Sequence, residues 1–198
     1  MASAADRSRE TRRKLLDAAR VLFTERGYHE TRPLDIARKA RVGSGTFYLH
    51  FADKCACFLA FVDEAAQDVQ KVVDERTVGA KNLQELVIGV LESAQAYSAS
   101  NPSVLTVAAM DISLIDGNGS DKVPTLLDRW AADWAARIAE FQVSGTFTKD
   151  LEPLVVGHMI VGLLHQCSLG AMRGYHTRQQ ILNNVIPFLA RATAPARE

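Results

Sequence analysis

The chain has little cysteine and no long apolar run. Its three cysteines, Cys55, Cys57 and Cys167, are too few and too scattered for a disulfide framework. No uninterrupted apolar stretch reaches the roughly 18 residues that indicate a membrane-spanning helix. Residues 1–10 are polar and charged, without an apolar export segment. We therefore expect a cytoplasmic protein with reduced thiols and no contact with a membrane.

The sequence also lacks the motifs of catalytic and metal sites. It has no nucleophile elbow, no phosphate-binding loop and no run of metal ligands. His158 and His165 share one side of a helix, but no carboxylate or cysteine lies on that side at a supporting spacing. A catalytic set of His165, Cys167 and Asp111 has no local motif behind it. We expect no enzyme activity, no metal and no cofactor.

The sequence does contain helical periodicity. Its 198 residues can hold one large or two small domains, and the 47% hydrophobic content supports a substantial core. Apolar spacing and helix breakers predict an all-α protein. The predicted helices are residues 9–26, two short helices within 31–54, and then about 54–74, 81–99, 102–114, 122–142, 150–171 and 178–193.

The net charge of zero hides an asymmetry between the two ends of the chain. Residues 1–54 carry 12 Lys and Arg against 7 Asp and Glu, a net charge of +5, and the remainder carries −5. A basic N-terminal segment attracts nucleic-acid phosphates, and an acidic remainder is repelled by them. Charge alone is equally compatible with ordinary solvated helix faces. The choice between these faces and a nucleic-acid surface therefore depends on the motif within this segment.

Residues 31–54 predict two short helices joined by a tight turn, with the sequence TRPLDIARKARVGSGTFYLHFADK. The first helix would place Leu34, Ile36, Ala37 and Ala40 inward. After the turn at residues 41–43, Phe47 and Phe51 lie on one face of the second helix and would pack against the first. The residues left outside are Ser44, Gly45, Thr46, Tyr48, Leu49 and His50. This arrangement is typical of a helix-turn-helix, which reads base edges with its second helix.

Residues 10–60 contain a longer pattern in a fixed order and spacing. Its members are Leu15-Leu16-Asp17-Ala18-Ala19, Leu22-Phe23, Glu25-Arg26-Gly27-Tyr28, Thr31, Asp35-Ile36-Ala37, Ala40, Val42, Gly45-Thr46, Tyr48, His50-Phe51 and Lys54. This segment, about a quarter of the chain, resembles the N-terminal domain of the TetR family of ligand-responsive transcriptional regulators. The resemblance implies a three-helix helix-turn-helix DNA-binding domain over 1–54 and a helical effector-binding and dimerisation domain over 55–198.

Three positions depart from the family pattern. Arg32 stands where a Ser or Thr usually caps the second helix, so either Thr31 caps it or Pro33 takes its first position with Asp35 in the first turn. Arg41 replaces a turn glycine, which costs roughly 1 kcal/mol if the backbone there has positive φ. Gly43 replaces the serine cap of the recognition helix, and glycine caps only slightly worse.

The predicted DNA contacts divide into phosphate and base contacts. Tyr48 and Lys54 match family positions that touch the DNA backbone, and Arg32 and His50 are proposed from position and chemistry. Base readout is assigned to Ser44, Gly45, Thr46 and Leu49. For Leu49 we expect contact with a thymine methyl group, and the alternative is packing on the first helix or the start of the fourth.

The resemblance also implies a dimer interface and an effector pocket in the C-terminal domain. Apolar and small residues in the last two helices make them the candidate dimer interface, with the alternative that these residues are only the monomer's own core. The resemblance implies that two helices from each subunit form a four-helix dimer bundle. The interface set is Gly157, Val161, Leu164, Ser168, Ile181, Val185 and Phe188. The pocket set is Tyr97, Met110, Asp111, Trp130, Trp134, Phe141, Met159, His165 and Cys167.

We therefore expect a homodimeric, ligand-responsive transcriptional regulator. The favoured form is a repressor that leaves a near-palindromic double-stranded DNA operator when a small hydrophobic or aromatic effector binds. An activator would have the same sequence features. The alternative function is a small-molecule-binding or interaction module whose DNA-binding face has decayed.

Overall fold

The computed structural model of the chain describes residues 3–110 and 125–193, and the regular elements within these ranges are all α-helices. This confirms the predicted all-α class. The helices are α1 (Ala4–Glu30), α2 (Pro33–Lys39), α3 (Ser44–His50), α4 (Lys54–Thr77), α5 (Leu83–Ser100), α6 (Val104–Met110), α7 (Leu126–Val143), α8 (Pro153–Met172) and α9 (Arg178–Ala192).

The first helix is longer than its apolar pattern predicts. Ser3 caps it in a reciprocal hydrogen-bond pair with Asp6, so α1 begins five residues before the predicted Arg9. Gly27 interrupts the helix with φ of +79°, but helical structure resumes and ends at Glu30. A polar capping box thus starts the helix before its apolar stripe does. Of the helix predicted at 102–114, residues 104–110 form α6, residues 102 and 103 precede it as a turn, and residues 111–114 lie outside the described residues.

The chain divides into two compact units. Unit 1 contains Met1–Val69 and Tyr97–Asp121, and unit 2 contains Gln70–Ala96 and Lys122–Glu198. Helices α4 and α5 each contribute residues to both units. The predicted functional boundary at residue 54 stays a prediction, because compactness alone does not locate a function.

Aromatic rings form the centre of unit 1. Phe23 of α1 lies edge-on to Phe58 of α4 with ring centroids 5.0 Å apart, and Phe61 lies 5.8 Å from Phe23. All three rings are fully buried. Such ring contacts add to the hydrophobic gain from burying the side chains, so they hold α1 against α4.

A polar cluster in unit 1 surrounds the guanidinium of Arg20 on α1. Its Nη2 donates hydrogen bonds to Tyr97 Oη at 2.9 Å and to Asn101 Oδ1 at 2.8 Å. Its Nη1 lies 3.5 Å from Asp68 Oδ2 and 3.8 Å from Glu64 Oε2. Burial raises the pKa of Glu64 and of Tyr97 above their usual values, against the opposing effect of the arginine charge. Arg20 therefore joins α1, α4 and α5 within this unit.

Helices α7, α8 and α9 supply most of the core of unit 2, with the start of α5. The buried set is Leu83, Leu86, Val87, Ala131, Trp134, Ile138, Phe141, Phe147, Val156, Ile160, Val161, Leu164, Ile181, Val185 and Leu189. A Cβ at Gly157 would collide with the backbone oxygen of Ala131, so this glycine permits close approach of α8 to α7. Pro153–Ala171 is long and apolar enough to cross a membrane by length and composition, and the same helix supplies four of these core residues.

Candidate functional site

A compact turn connects α2 to α3. Arg41 N–H donates to Arg38 O at 3.1 Å, and Val42 N–H donates to Ala37 O at 3.0 Å. These two bonds form a Schellman motif, which requires a left-handed residue after the helix end. Arg41 takes that position with φ of +57°. The family's glycine is therefore replaced by a strained arginine, at a cost of about 1 kcal/mol.

The start of α2 resolves the two alternatives for its cap. Arg32 is the N-cap residue but makes no side-chain capping bond, and Pro33 occupies the start of the helix. Thr31 belongs instead to the end of α1, where its buried hydroxyl donates to Gly27 O at 2.8 Å. Proline suits the first helical position because its missing N–H would have no partner there. Thr31 therefore does not cap α2.

Helix α3 is held by one aromatic face. Phe47 and Phe51 are buried with ring centroids 5.6 Å apart, and the Arg12 guanidinium lies 4.7 Å from the centroid of the Phe51 ring. Gly43 is the N-cap residue and makes no side-chain bond. Phe47 and Phe51 are therefore the inward pair, as predicted. These contacts leave the remaining surface of α3 available to another molecule.

The opposite face of α3 is open. Ser44, Gly45, Tyr48 and Leu49 are exposed, and Thr46 and His50 are half-buried. The Leu49 side chain is 82% exposed, which excludes the alternative that it packs on α1 or α4. A Cβ at Gly45 would meet nothing within 4 Å. A glycine inside a helix costs roughly 0.5–1 kcal/mol relative to alanine, and no packing within the described chain requires this one.

One predicted core residue of the motif is wrong. Leu34 of α2 is 52% exposed, whereas Ile36 and Ala37 are fully buried. Leu34 lies two positions before Ile36, and successive residues turn by about 100° around a helix. Its side chain therefore leaves the core on the far side of α2 from Ile36.

Cations are exposed on α2 and in the turn before α3. Arg32, Arg38, Lys39 and Arg41 are all exposed. Arg38 lies 3.5 Å from Asp35, and Lys39 lies 4.0 Å from Glu25, at distances typical of weak surface pairs. Because such pairs exchange readily with other anions, these side chains remain available to phosphate groups.

Lys54 has a structural role that the sequence pattern does not reveal. Its Nζ donates to Tyr28 O at 2.9 Å and to His29 O at 3.3 Å, and it lies 4.2 Å from the centroid of the Tyr28 ring. Burial lowers the pKa of this ammonium group, with Glu30 opposing the change. Lys54 thus ties the start of α4 to the last turn of α1. These partners are 25 and 26 residues away, beyond any local pattern.

The residues predicted to line the effector pocket occupy different environments. Tyr97 belongs to unit 1, where it accepts the hydrogen bond from Arg20. Trp134 and Phe141 are buried in the core of unit 2, and Met159 is 67% exposed. Trp130 and Cys167 pack against that core as partly buried residues, and His165 is half-buried. The Met110 side chain and Asp111 lie outside the described residues.

The predicted interface residues mostly face the core of unit 2. Gly157, Val161 and Leu164 repeat at helical spacing, and their stripe is turned toward the unit's interior. Ile181 and Val185 are buried in the same core, while Ser168 and Phe188 are exposed. This corrects the prediction for the five buried residues, because residues covered within their own unit have no area left for a partner. Ser168 and Phe188 stay predicted interface residues.

A different apolar face of α8 is exposed. Val155, Met159 and Gly162 lie at helical spacing and point to solvent, with Leu154 beside them. On α9, Phe188 is 61% exposed. It borders an open groove of about 620 Å³ whose lining residues are Asn183, Asn184, Pro187, Phe188, Arg191 and Ala192. Sequence periodicity shows that α8 is apolar on most sides, but it does not show which side faces inward.

Comparisons with known proteins agree with the helix-turn-helix geometry of α2 and α3. A family profile described as "Bacterial regulatory proteins, tetR family" matches residues 15–61, which extend from α1 into α4. Over this segment, about a quarter of its length, the chain is similar to the TetR family. It is accordingly a helix-turn-helix DNA-binding transcriptional regulator, and the predicted resemblance is confirmed.

Similarity to individual proteins extends over both units of the chain. The transcriptional repressor DhaR of Mycobacterium sp. (strain GP1) is 22% identical over 155 residues, 76% of each chain. The structure of a TetR-family regulator from Syntrophomonas wolfei is 24% identical, with a TM-score of 0.71 over 92% of this chain and 95% of that chain. The structure of a gamma-butyrolactone receptor (ArpA-like protein) is 20% identical, with a TM-score of 0.66 over 96% and 91%.

Proposed function

We propose that this protein is a ligand-responsive repressor that binds DNA as a homodimer and leaves its operator when a small hydrophobic or aromatic molecule binds. The proposal rests on the exposure of one face of α3. One face of this helix is anchored by two buried phenylalanines, and the other presents Ser44, Gly45, Tyr48 and Leu49 to solvent. The helix lies in a segment of net charge +5, which favours the DNA phosphates.

The proposed second copy packs against the exposed apolar face of α8 and α9. Val155, Met159 and Gly162, together with Phe188, provide this surface. A two-fold dimer uses the same patch on both chains, and the DNA half-sites reflect that symmetry. A near-palindromic operator follows, with recognition helices entering successive major grooves.

The effector acts by favouring one of two conformations. A ligand shifts a two-state equilibrium only by its difference in affinity for the two states. The proposed effector binds best when the recognition helices have a spacing that does not fit the DNA. Support for a small-molecule effector comes from the gamma-butyrolactone receptor, which has a similar fold. Both tryptophans, Trp130 and Trp134, lie in unit 2, so their fluorescence provides a test.

The DNA-binding test uses Ser44→Glu in the full-length protein. Ser44 is the exposed first residue of α3, where an acidic side chain favours the helix but repels DNA phosphate. We expect wild-type protein to enrich a near-palindromic sequence from a random duplex library, and the variant to lose binding to it in gel-shift assays. The thermal unfolding temperature should remain unchanged.

Gln67→Glu is the matched control, because Gln67 is an exposed residue of α4 and the change adds the same charge. It should retain operator binding. Loss of binding in both variants would indicate a general charge effect, and retention in both would exclude α3 as the DNA-binding surface. For the effector, gamma-butyrolactones and aromatic acids should quench tryptophan fluorescence and release the selected duplex. Quenching without release would contradict the regulatory proposal.

A further inference from the structure

We propose that Leu49 reads the 5-methyl group of thymine in the major groove, so that each operator half-site is recognised partly through a methyl contact. This inference rests on the proposed DNA binding by α3 and specifies the chemistry of that contact. The sequence suggests this contact. The structure excludes the alternative that Leu49 packs on α1 or α4, because its side chain is 82% exposed.

The side chains of α3 restrict how it reads bases. The helix consists of Ser44, Gly45, Thr46, Phe47, Tyr48, Leu49 and His50. It contains no Arg or Lys to pair with both acceptors of guanine, and no Asn or Gln to pair with adenine. Its remaining means of readout are single hydrogen bonds from hydroxyl or imidazole groups and apolar contact. Thymine is the only base with a methyl group in the major groove.

Leu49 is placed for the apolar contact. It lies on α3 two positions after the buried Phe47 and two positions before the buried Phe51, which directly follows the helix, so its side chain projects away from their packing. Among the residues that the structure describes in unit 1, no nonpolar neighbour covers it, as its exposure shows. The occupant we infer is DNA rather than a protein, because the same helix exposes Ser44 and Tyr48, which carry hydroxyl groups, and the surrounding segment has a net charge of +5.

The experiment removes the methyl group without changing base pairing. A duplex enriched from a random library by the full-length protein is synthesised with each thymine of a half-site replaced, singly, by deoxyuridine. Affinity is measured by fluorescence anisotropy at fixed salt. Because the loss is that of one buried methyl contact, we expect one or two positions at which deoxyuridine weakens wild-type binding roughly fivefold. Leu49→Ala should bind thymine and deoxyuridine duplexes equally at those positions.

Leu34→Ala provides the matched control, because Leu34 is also exposed, lies in the same motif and undergoes the same side-chain change. It should retain the wild-type preference for thymine over deoxyuridine. The double-mutant cycle thus isolates the pair of Leu49 and the methyl group from general effects on DNA binding. Leu49→Ala should also unfold at the wild-type temperature, since its side chain is not part of the core.

The outcomes separate this inference from the proposed function. Enrichment of a duplex, followed by equal wild-type affinity for thymine and deoxyuridine at every position, would refute the methyl contact alone. A deoxyuridine penalty that persists in Leu49→Ala would assign the methyl contact to another residue and also refute it. If no duplex is enriched, the proposed DNA binding itself fails, and the methyl contact fails with it.

Discussion

Helices α3 and α8 both expose large apolar side chains, but their surroundings differ. On α3, the exposed Tyr48 and Leu49 share a seven-residue helix with Ser44 and Thr46 and belong to a segment with excess positive charge. On α8, Leu154, Val155 and Met159 lie along about one and a half turns of a helix that contains no Asp, Glu, Lys or Arg. The first surface suits a charged, hydrated partner, and the second suits another apolar surface.

An exposed apolar residue therefore indicates an interaction site only when its neighbours are taken into account. Isolated exposed leucines are common on protein surfaces, whereas contiguous apolar patches indicate interaction sites. The other face of α8 is buried in the core of unit 2, so one helix has two apolar faces, one buried and one exposed. The predictions that follow test this division, and they proceed from the largest expected effect to the smallest.

The largest effect should come from placing a charge on each face of α8 in turn. Val161 is 6% exposed within the core, so Val161→Asp should destabilise the fold by several kcal/mol because an unpaired charge is buried. Met159→Asp should leave the monomer folded but prevent dimerisation. Circular dichroism and sedimentation velocity measure the two properties separately. A folded monomer from Val161→Asp, or a stable Met159→Asp dimer, would reverse the assignment of the faces.

A smaller effect should distinguish two glycines of the same helix. Gly157→Ala would force its Cβ against the Ala131 backbone oxygen, so we expect destabilisation of about 1–3 kcal/mol from overpacking. At Gly162 an added Cβ meets nothing within 4 Å, so Gly162→Ala should change the free energy of unfolding by no more than about 1 kcal/mol. Urea denaturation compares them. Equal costs would show that α8 does not approach α7 as closely as the structure indicates.

The smallest effect concerns the strained turn of unit 1. Arg41→Gly relieves an unfavourable positive φ and should stabilise the protein by roughly 0.5–1 kcal/mol, after the entropy cost of glycine. Arg41→Ala keeps the strain and removes only the guanidinium, so it serves as the control. Both variants should bind DNA with a weaker dependence on salt if Arg41 contacts phosphate. Stabilisation of both variants alike would show that the charge, rather than the backbone, is unfavourable.

The helix-turn-helix could be predicted from sequence in considerable detail. Phe47 and Phe51 were placed on the buried face of α3, and Ile36 and Ala37 on that of α2, because all of these contacts join residues close in sequence. Leu34 was misplaced because a helix of seven residues shows too little periodicity to define its inward face at its first turn. Lys54 was predicted only as a phosphate contact, since its carbonyl partners are distant in sequence.

For the C-terminal part, the sequence predicted the helices but not which of their faces are buried and which are exposed. Its helix bounds follow local breakers and caps, such as the capping boxes at Thr125 and Thr177. Helix α8 is apolar on most sides, so its sequence is compatible with several rotations about its own axis. The inward rotation depends on which neighbouring helix approaches Gly157. A local pattern therefore could not separate core residues from interface residues.

The sequence by itself determined the all-α class, the helix-turn-helix, the concentration of positive charge near the N-terminus and the resemblance to the TetR family. Each depends on residue order and spacing over short distances, where helix geometry relates sequence directly to structure. Tertiary structure alone decided that Val161 and Val185 are core residues, that Met159 and Phe188 are exposed, and that Lys54 binds the end of α1. These properties depend on contacts between distant segments, and burial is established only when those segments pack together.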